Sequence, residues 1–175
     1  MQKLCSELIG GMVFGIQNGQ EIGRISNFVV SSSDLKIIAY VVEPNFTKNN
    51  LYLLPGDIRL MDGPKVLVNS EENLSEFDEL IRFQHAITEN YKIITSRVIT
   101  SSGKRIGKVI DFMFDPEISY ITKISVVPTL LKKLLVTNLL IDRADIVDTK
   151  PGLIIVKDNL VKSSESSAKV LAPDS

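Results

Sequence analysis

The residues best placed to do chemistry are the cations of one short run, Gly103-Lys104-Arg105-Ile106-Gly107-Lys108-Val109. A glycine-rich run ending in lysine could cradle a phosphate through its backbone N–H groups. This one is a residue short between its glycines, lacks Ser or Thr after the lysine, and falls in a strand pattern rather than before a helix. It therefore reads as a hairpin carrying three cations. The single histidine, His85, has no second histidine to join it in a metal site or proton relay, so it reads as a half-exposed helix residue. Asp142, Asp145 and Asp148 lack the alternating ligand register and closing glutamate of a calcium loop. Cys5 is the only cysteine, which excludes an internal disulfide and a cysteine metal cluster and suggests a reducing, cytoplasmic compartment. No nucleophile–base pair is recognisable. No catalytic residue, bound cofactor or metal ligand is expected, and the chain does not read as an enzyme.

Charge is more informative. The formal net charge is −1 over 175 residues. Residues 1–69 carry six basic and six acidic side chains, whereas 70–90 carry six acidic residues against Arg82 alone. Residues 91–162 reverse the sign, with twelve basic and seven acidic residues. A near-neutral protein thus holds an acidic segment beside a basic one. The default explanation is internal, the acidic segment lying against the basic unit and offsetting it. The functional explanation is a patch for RNA, anionic lipid or an acidic protein. Few aromatic residues accompany these cations, which weighs against RNA, with Tyr91 and Tyr120 the candidates for stacking.

The elements that must position these cations follow from an internal repeat. Gly19-Gln-Glu-Ile-Gly23-Arg-Ile-Ser-Asn-Phe28 recurs as Gly103-Lys-Arg-Ile-Gly107-Lys-Val-Ile-Asp-Phe112, and residues 50–58 recur as 138–146. Each unit reads as short Val- and Ile-rich strands. Hairpin turns fall at Asn18-Gly19 and Ser102-Gly103, where positive φ is tolerated. Second turns fall at Ser33-Asp34 and Asp115-Pro116-Glu117. Gly107 suits a close approach inside a strand, and Asp57 and Asp145 suit a turn entering the last strands. Between the units, Leu74, Phe77, Leu80, Ile81 and Ile87 recur at helical spacing behind a candidate N-cap, Ser75, which predicts a linker helix. Residues 163–175 are Ser-rich and predict a disordered tail.

One insertion of the second unit stands apart: Leu130, Leu131, Lys132, Lys133 and Leu134. The first unit has no counterpart, so the fold does not require it, and it is expected either to pack under the second unit or to meet a partner. The apolar window 124–141 around it is broken by Pro128, Lys132 and Lys133, which excludes a spanning helix. Acidic Glu7 and Gly10-Gly11 follow directly on residues 1–5, so no secretory signal is expected.

The run from Gly103 through Asp115-Pro116-Glu117 resembles the opening of a PRC-barrel domain, in which a Gly-x-x-(Ile/Leu/Val)-Gly-(Lys/Arg)-Val stretch precedes an acidic turn and an apolar strand. A second signature of that family, an apolar run ending in Asp-Ile, resembles 139–146 and, in the first unit, 51–58. The resemblance implies a structural and interaction role. PRC-barrels occur in the cytoplasmic part of the photosynthetic reaction centre and in a ribosome maturation factor, where the barrel engages a ribosomal protein. The expected fold is mainly β: two tandem small β-barrels, 1–69 and 91–162, joined by a helical linker over 70–90. The expected function is a non-enzymatic scaffold binding a protein partner, with a setting in ribosome maturation or RNA processing. The alternative is a peripheral membrane adaptor using the basic and leucine-rich loop of the second unit. Candidate partner-binding residues are Lys104, Arg105, Lys108, Leu130, Leu131, Lys132, Lys133 and Leu134.

Overall fold

A computed structural model describes residues 1–129 and 138–160. In chain order the elements are β1 (Lys3–Leu4), α1 (Cys5–Leu8), β2 (Met12–Gly15), β3 (Gln20–Val30), β4 (Ile37–Pro44), β5 (Leu51–Leu53), β6 (Leu60–Asp62), β7 (Lys65–Val68) and β8 (Leu74–Ser75). They continue with α2 (Gln84–Glu89), β9 (Arg97–Thr100), β10 (Arg105–Asp115), β11 (Tyr120–Pro128), β12 (Leu139–Asp142), β13 (Ile146–Lys150) and β14 (Leu153–Val156). The protein is mainly β, with barrel-like sheets.

Each half forms one sheet, and the strand orders correspond. The first runs β6-β7-β2-β3-β4-β5-β8, and the second runs β13-β14-β9-β10-β11-β12, with β1 added on β10. The parallel pair β2/β7 has its counterpart in β9/β14. The long strands β3 and β10 are bulged at equivalent places, between Ile25 and Asn27 in one and Val109 and Asp111 in the other. A bulge bends its strand and increases twist, which curls a sheet toward closure. The hairpin glycines behave as expected, Gly19 at φ 65° and Gly103 at φ 85°. Gly107 leaves no room for a side chain: a Cβ there would lie 2.0 Å from the Val127 carbonyl oxygen.

The halves join about a local two-fold. Counterparts in this region lie 84 positions apart (103 less 19). Lys36 bridges its own counterpart, Tyr120. The Ile37 N–H donates to the Ser119 carbonyl at 2.7 Å, and the Ile121 N–H donates to the Leu35 carbonyl at 3.0 Å. The contact is therefore isologous within one chain, Ile37 meeting the counterpart of Leu35 and Leu35 the counterpart of Ile37. Leu35 and Ser119 both take positive φ, 57° and 59°. That conformation is sterically unfavourable for a leucine, which holds it here in a closed hairpin turn: its N–H donates to the Ser31 carbonyl at 3.0 Å, and the Ser31 N–H donates to the Lys36 carbonyl at 2.9 Å. Behind this seam Phe28 meets its counterpart Phe112 edge-on at 5.3 Å, with Tyr40 and Phe114 also against Phe28 at 5.2 and 5.4 Å. One hydrophobic core runs through both halves.

Two expectations are corrected. Residues 71–89 do not form one helix. They make 3-10 turns at Glu71–Asn73, Phe77–Glu79 and Ile81–Phe83, the strand β8 between the first two, and the six-residue α2. Polar side chains close single turns: Ser70 and Asn73 form one capping box, Glu76 and Glu79 another. Ser75, expected as an N-cap, lies in β8, where Leu74 pairs with Leu53. Of the expected apolar stripe, Leu74 and Leu80 are buried, while Phe77 and Ile81 are exposed. A short segment gains more from strand pairing and local caps than from a marginal isolated helix. The second correction concerns the first residues, expected in the first unit. β1 pairs with Met113 and Phe114 of β10, and α1 packs on β10. The reciprocal contact places α2 against β3. The expected tail, 163–175, lies outside the described residues.

Candidate functional site

Of the candidate partner residues, Arg105 and Lys108 stand exposed on β10, and Lys104 is exposed in the turn before it. Leu130, Leu131, Lys132, Lys133 and Leu134 lie outside the described residues. Strand register brings two further cations to the same face. Lys108 is directly opposite Arg97 on β9. Arg97 is opposite Leu153 on β14, and Leu153 is opposite Lys150 on β13. Residues directly opposite on neighbouring strands point to one face. One outward row across the sheet therefore reads Val127, Lys108, Arg97, Leu153, Lys150. The adjacent row carries Arg105, Ile99, Ile155 and Asp148. The two rows thus set four cations, Asp148 and half-buried aliphatic side chains on one face.

The first sheet supplies an internal control. Its equivalent row reads Glu43, Arg24, Met12, Lys65, Asp62, two cations against two anions. The second row has three cations and no anion. Where the second half has Arg105, the first has Glu21, whose carboxylate pairs with Arg24 at 3.0 Å. The same backbone thus holds a neutral face in one half and a cationic face in the other, so the fold does not demand the charge. Among the described residues, Arg97, Arg105 and Lys108 make no ion pair, and Lys150 has a 3.7 Å contact with Asp148. Juxtaposed like charges on facing strands are destabilising, which makes Arg97 beside Lys108 a local cost with no structural benefit.

None of the described ion pairs joins residues 70–90 to a cation of the second half, so the expected internal offset is not made by direct pairing. Glu71, Glu72, Glu76, Asp78 and Glu79 are all exposed.

The remaining reactive groups have structural surroundings. Cys5 is buried, and burial, helped by the nearby Asp111 carboxylate, pushes its thiol up to about 12. Such a thiol is a poor nucleophile at neutral pH. Asp111 itself accepts from the Ser6 backbone N–H at 3.2 Å and from the Ser6 hydroxyl, fixing α1 to β10. His85 is exposed on α2. At the seam, the Arg143 guanidinium stacks 4.5 Å from the Tyr120 ring centre and donates to the Asp34 carbonyl at 2.8 Å. These groups satisfy one another and hold the halves together. No described helix is long and apolar enough to cross a membrane.

Arg97 and Lys150 were not singled out from sequence because their significance lies in register alone. The available signal was comparison with the first unit, where Met12 and Asp62 occupy their places. No curated protein matches the chain. Residues 89–159, the segment carrying every cation of this face, match the PRC-barrel domain family.

Proposed function

We propose that the chain is a non-enzymatic cytoplasmic scaffold of two tandem PRC-type barrels that binds a protein partner through the outer face of its second sheet. The observation that carries this reading is the charge difference between equivalent rows: Arg97, Arg105 and Lys108 stand without ion pairs among the described residues where the first half is balanced. A protein surface fits better than single-stranded RNA. The uncharged side chains of the two rows are Ile99, Val127, Leu153 and Ile155, which offer aliphatic contact rather than a stacking platform. The equal strand order and shared bulges of the two sheets support the tandem-barrel description. The family resemblance supports ribosome maturation as the setting.

The test is affinity capture from native lysate at physiological salt, with and without nuclease, using wild type and Arg97→Glu/Lys108→Glu. Proteins retained by wild type, insensitive to nuclease and lost with the variant, are the expected result. Retention that survives charge reversal contradicts the reading. Release by nuclease would assign the face to RNA, and sedimentation with anionic vesicles would assign it to a membrane surface.

A further inference from the structure

We infer that the basic face of the second half docks the acidic ridge of the first half on another copy of this chain. This rests on the preceding reading of the face as a protein-contact surface, and it names the partner. The ridge is formed by Glu71, Glu72, Glu76 and Glu79, which line one groove with Phe46. These carboxylates are exposed and make no ion pair among the described residues. Phe46 is 53% exposed and Phe77, within the same segment, 39%. Ridge and face are thus matched in two respects: carboxylates against guanidinium and ammonium groups, and exposed aromatic carbon against Ile99, Leu153 and Ile155.

Three further observations favour a second copy as the occupant. The two surfaces lie on different halves, their charged side chains are exposed, and no ion pair among the described residues joins them within one chain. The ridge is braced within its own chain: two capping boxes close its turns, and Leu74 and Leu80 anchor it in buried positions. Preorganisation reduces the ordering cost of association. The net charge is −1, so two copies meet without the general repulsion that keeps strongly charged chains apart. Arg97 and Arg105 present planar forks suited to two-point recognition of carboxylates, which a ridge of glutamates supplies.

The test is sedimentation velocity of the full chain over a concentration series, at low and high salt, with two charge-reversed variants. One is Arg97→Glu/Lys108→Glu. The other is Glu71→Lys/Glu72→Lys, chosen because neither side chain takes part in a capping box. Wild type is expected to associate at low salt and dissociate at high salt, and each variant alone to associate on the order of a hundredfold more weakly. Mixing the two variants should restore association, since each retains the surface the other has lost and the reversed surfaces are themselves complementary. Melting temperatures near wild type establish that the variants fold. Wild type that remains monomeric throughout, or variants that associate as well as wild type, overturns the inference. The scaffold reading then still stands if lysate capture is lost with Arg97→Glu/Lys108→Glu, and falls separately if it is not.

Discussion

Replacing Lys108 with glutamate should make the protein more stable. Lys108 and Arg97 are register partners on adjacent antiparallel strands, both exposed, with no anion paired to either among the described residues. Opposed pairs on such strands contribute roughly 0.2–1 kcal/mol when unlike, and cost a similar amount when like. Exposed pairs fall toward the lower end of that range. Converting repulsion to attraction should therefore gain about 0.5 kcal/mol. For a chain of this size that corresponds to a rise in Tm of about 1–2 °C. The assay is thermal unfolding followed by circular dichroism at low ionic strength and again near 1 M salt. Screening over ~3 Å at 1 M should erase most of the gain. The matched control is Arg24→Glu in the first half, which removes the pairing with Glu21 and places a carboxylate opposite Glu43, and should lower Tm. A drop in Tm for Lys108→Glu, or a gain indifferent to salt, would refute the idea that Lys108 is held against a local electrostatic cost. A stabilising change that also abolishes docking is the signature of a residue retained for binding.

Other outcomes follow from the core and the turns. Tyr40 is fully buried, and its hydroxyl has no hydrogen-bond partner among the described residues, so Tyr40→Phe should stabilise by about 1 kcal/mol, read from chemical denaturation. Gly107→Ala should destabilise far more than Gly103→Ala, because a Cβ at 107 strikes the Val127 carbonyl oxygen, whereas at Gly103 it meets open space and only the φ of 85° is unfavourable. Equal losses in the two melts would contradict the close strand approach. The Cys5 thiol should resist alkylation in the native state and react on unfolding, as a timed thiol assay would show. Its folded pKa, about 12, lies above the ordinary 9.0, so the unfolded chain releases this proton first and stability falls as pH rises from 9 toward 12. Burial raises Tyr40 and Tyr91 in the same direction, Tyr91 to about 12, which should steepen the alkaline limb of a Tm-against-pH profile.

Much of the strand framework was legible because its signals are local. Asn18-Gly19 and Ser102-Gly103 mark hairpins through the φ their glycines must adopt, and Gly107 marks a close approach through the side chain it lacks. What was not legible depends on partners distant in sequence. Lys3 and Leu4 give no local sign that they will pair with Phe114 and Met113 in the other half. The Leu35 carbonyl gives no local sign that it will accept from the Ile121 N–H across the seam. The segment 71–89 misled because capped single turns and an amphipathic helix draw on the same polar and apolar residues at the same spacing. Burial of Leu74 beside β5 decides between them. Arg105 and Lys108 could be singled out by their motif, but Arg97 and Lys150 join them only once strand order places β9, β14 and β13 alongside.

The most direct test of the basic face as the contact surface is a lysine acetylation footprint of the intact protein, alone at a concentration too low for self-association and then in native lysate. Lys108 reports on the second sheet, and Lys65, exposed on the equivalent row of the first, is the internal control. Slower acetylation of Lys108 in lysate, with Lys65 unchanged, is the predicted result. Equal rates at Lys108 in both conditions, or protection of Lys65 instead, would contradict the account.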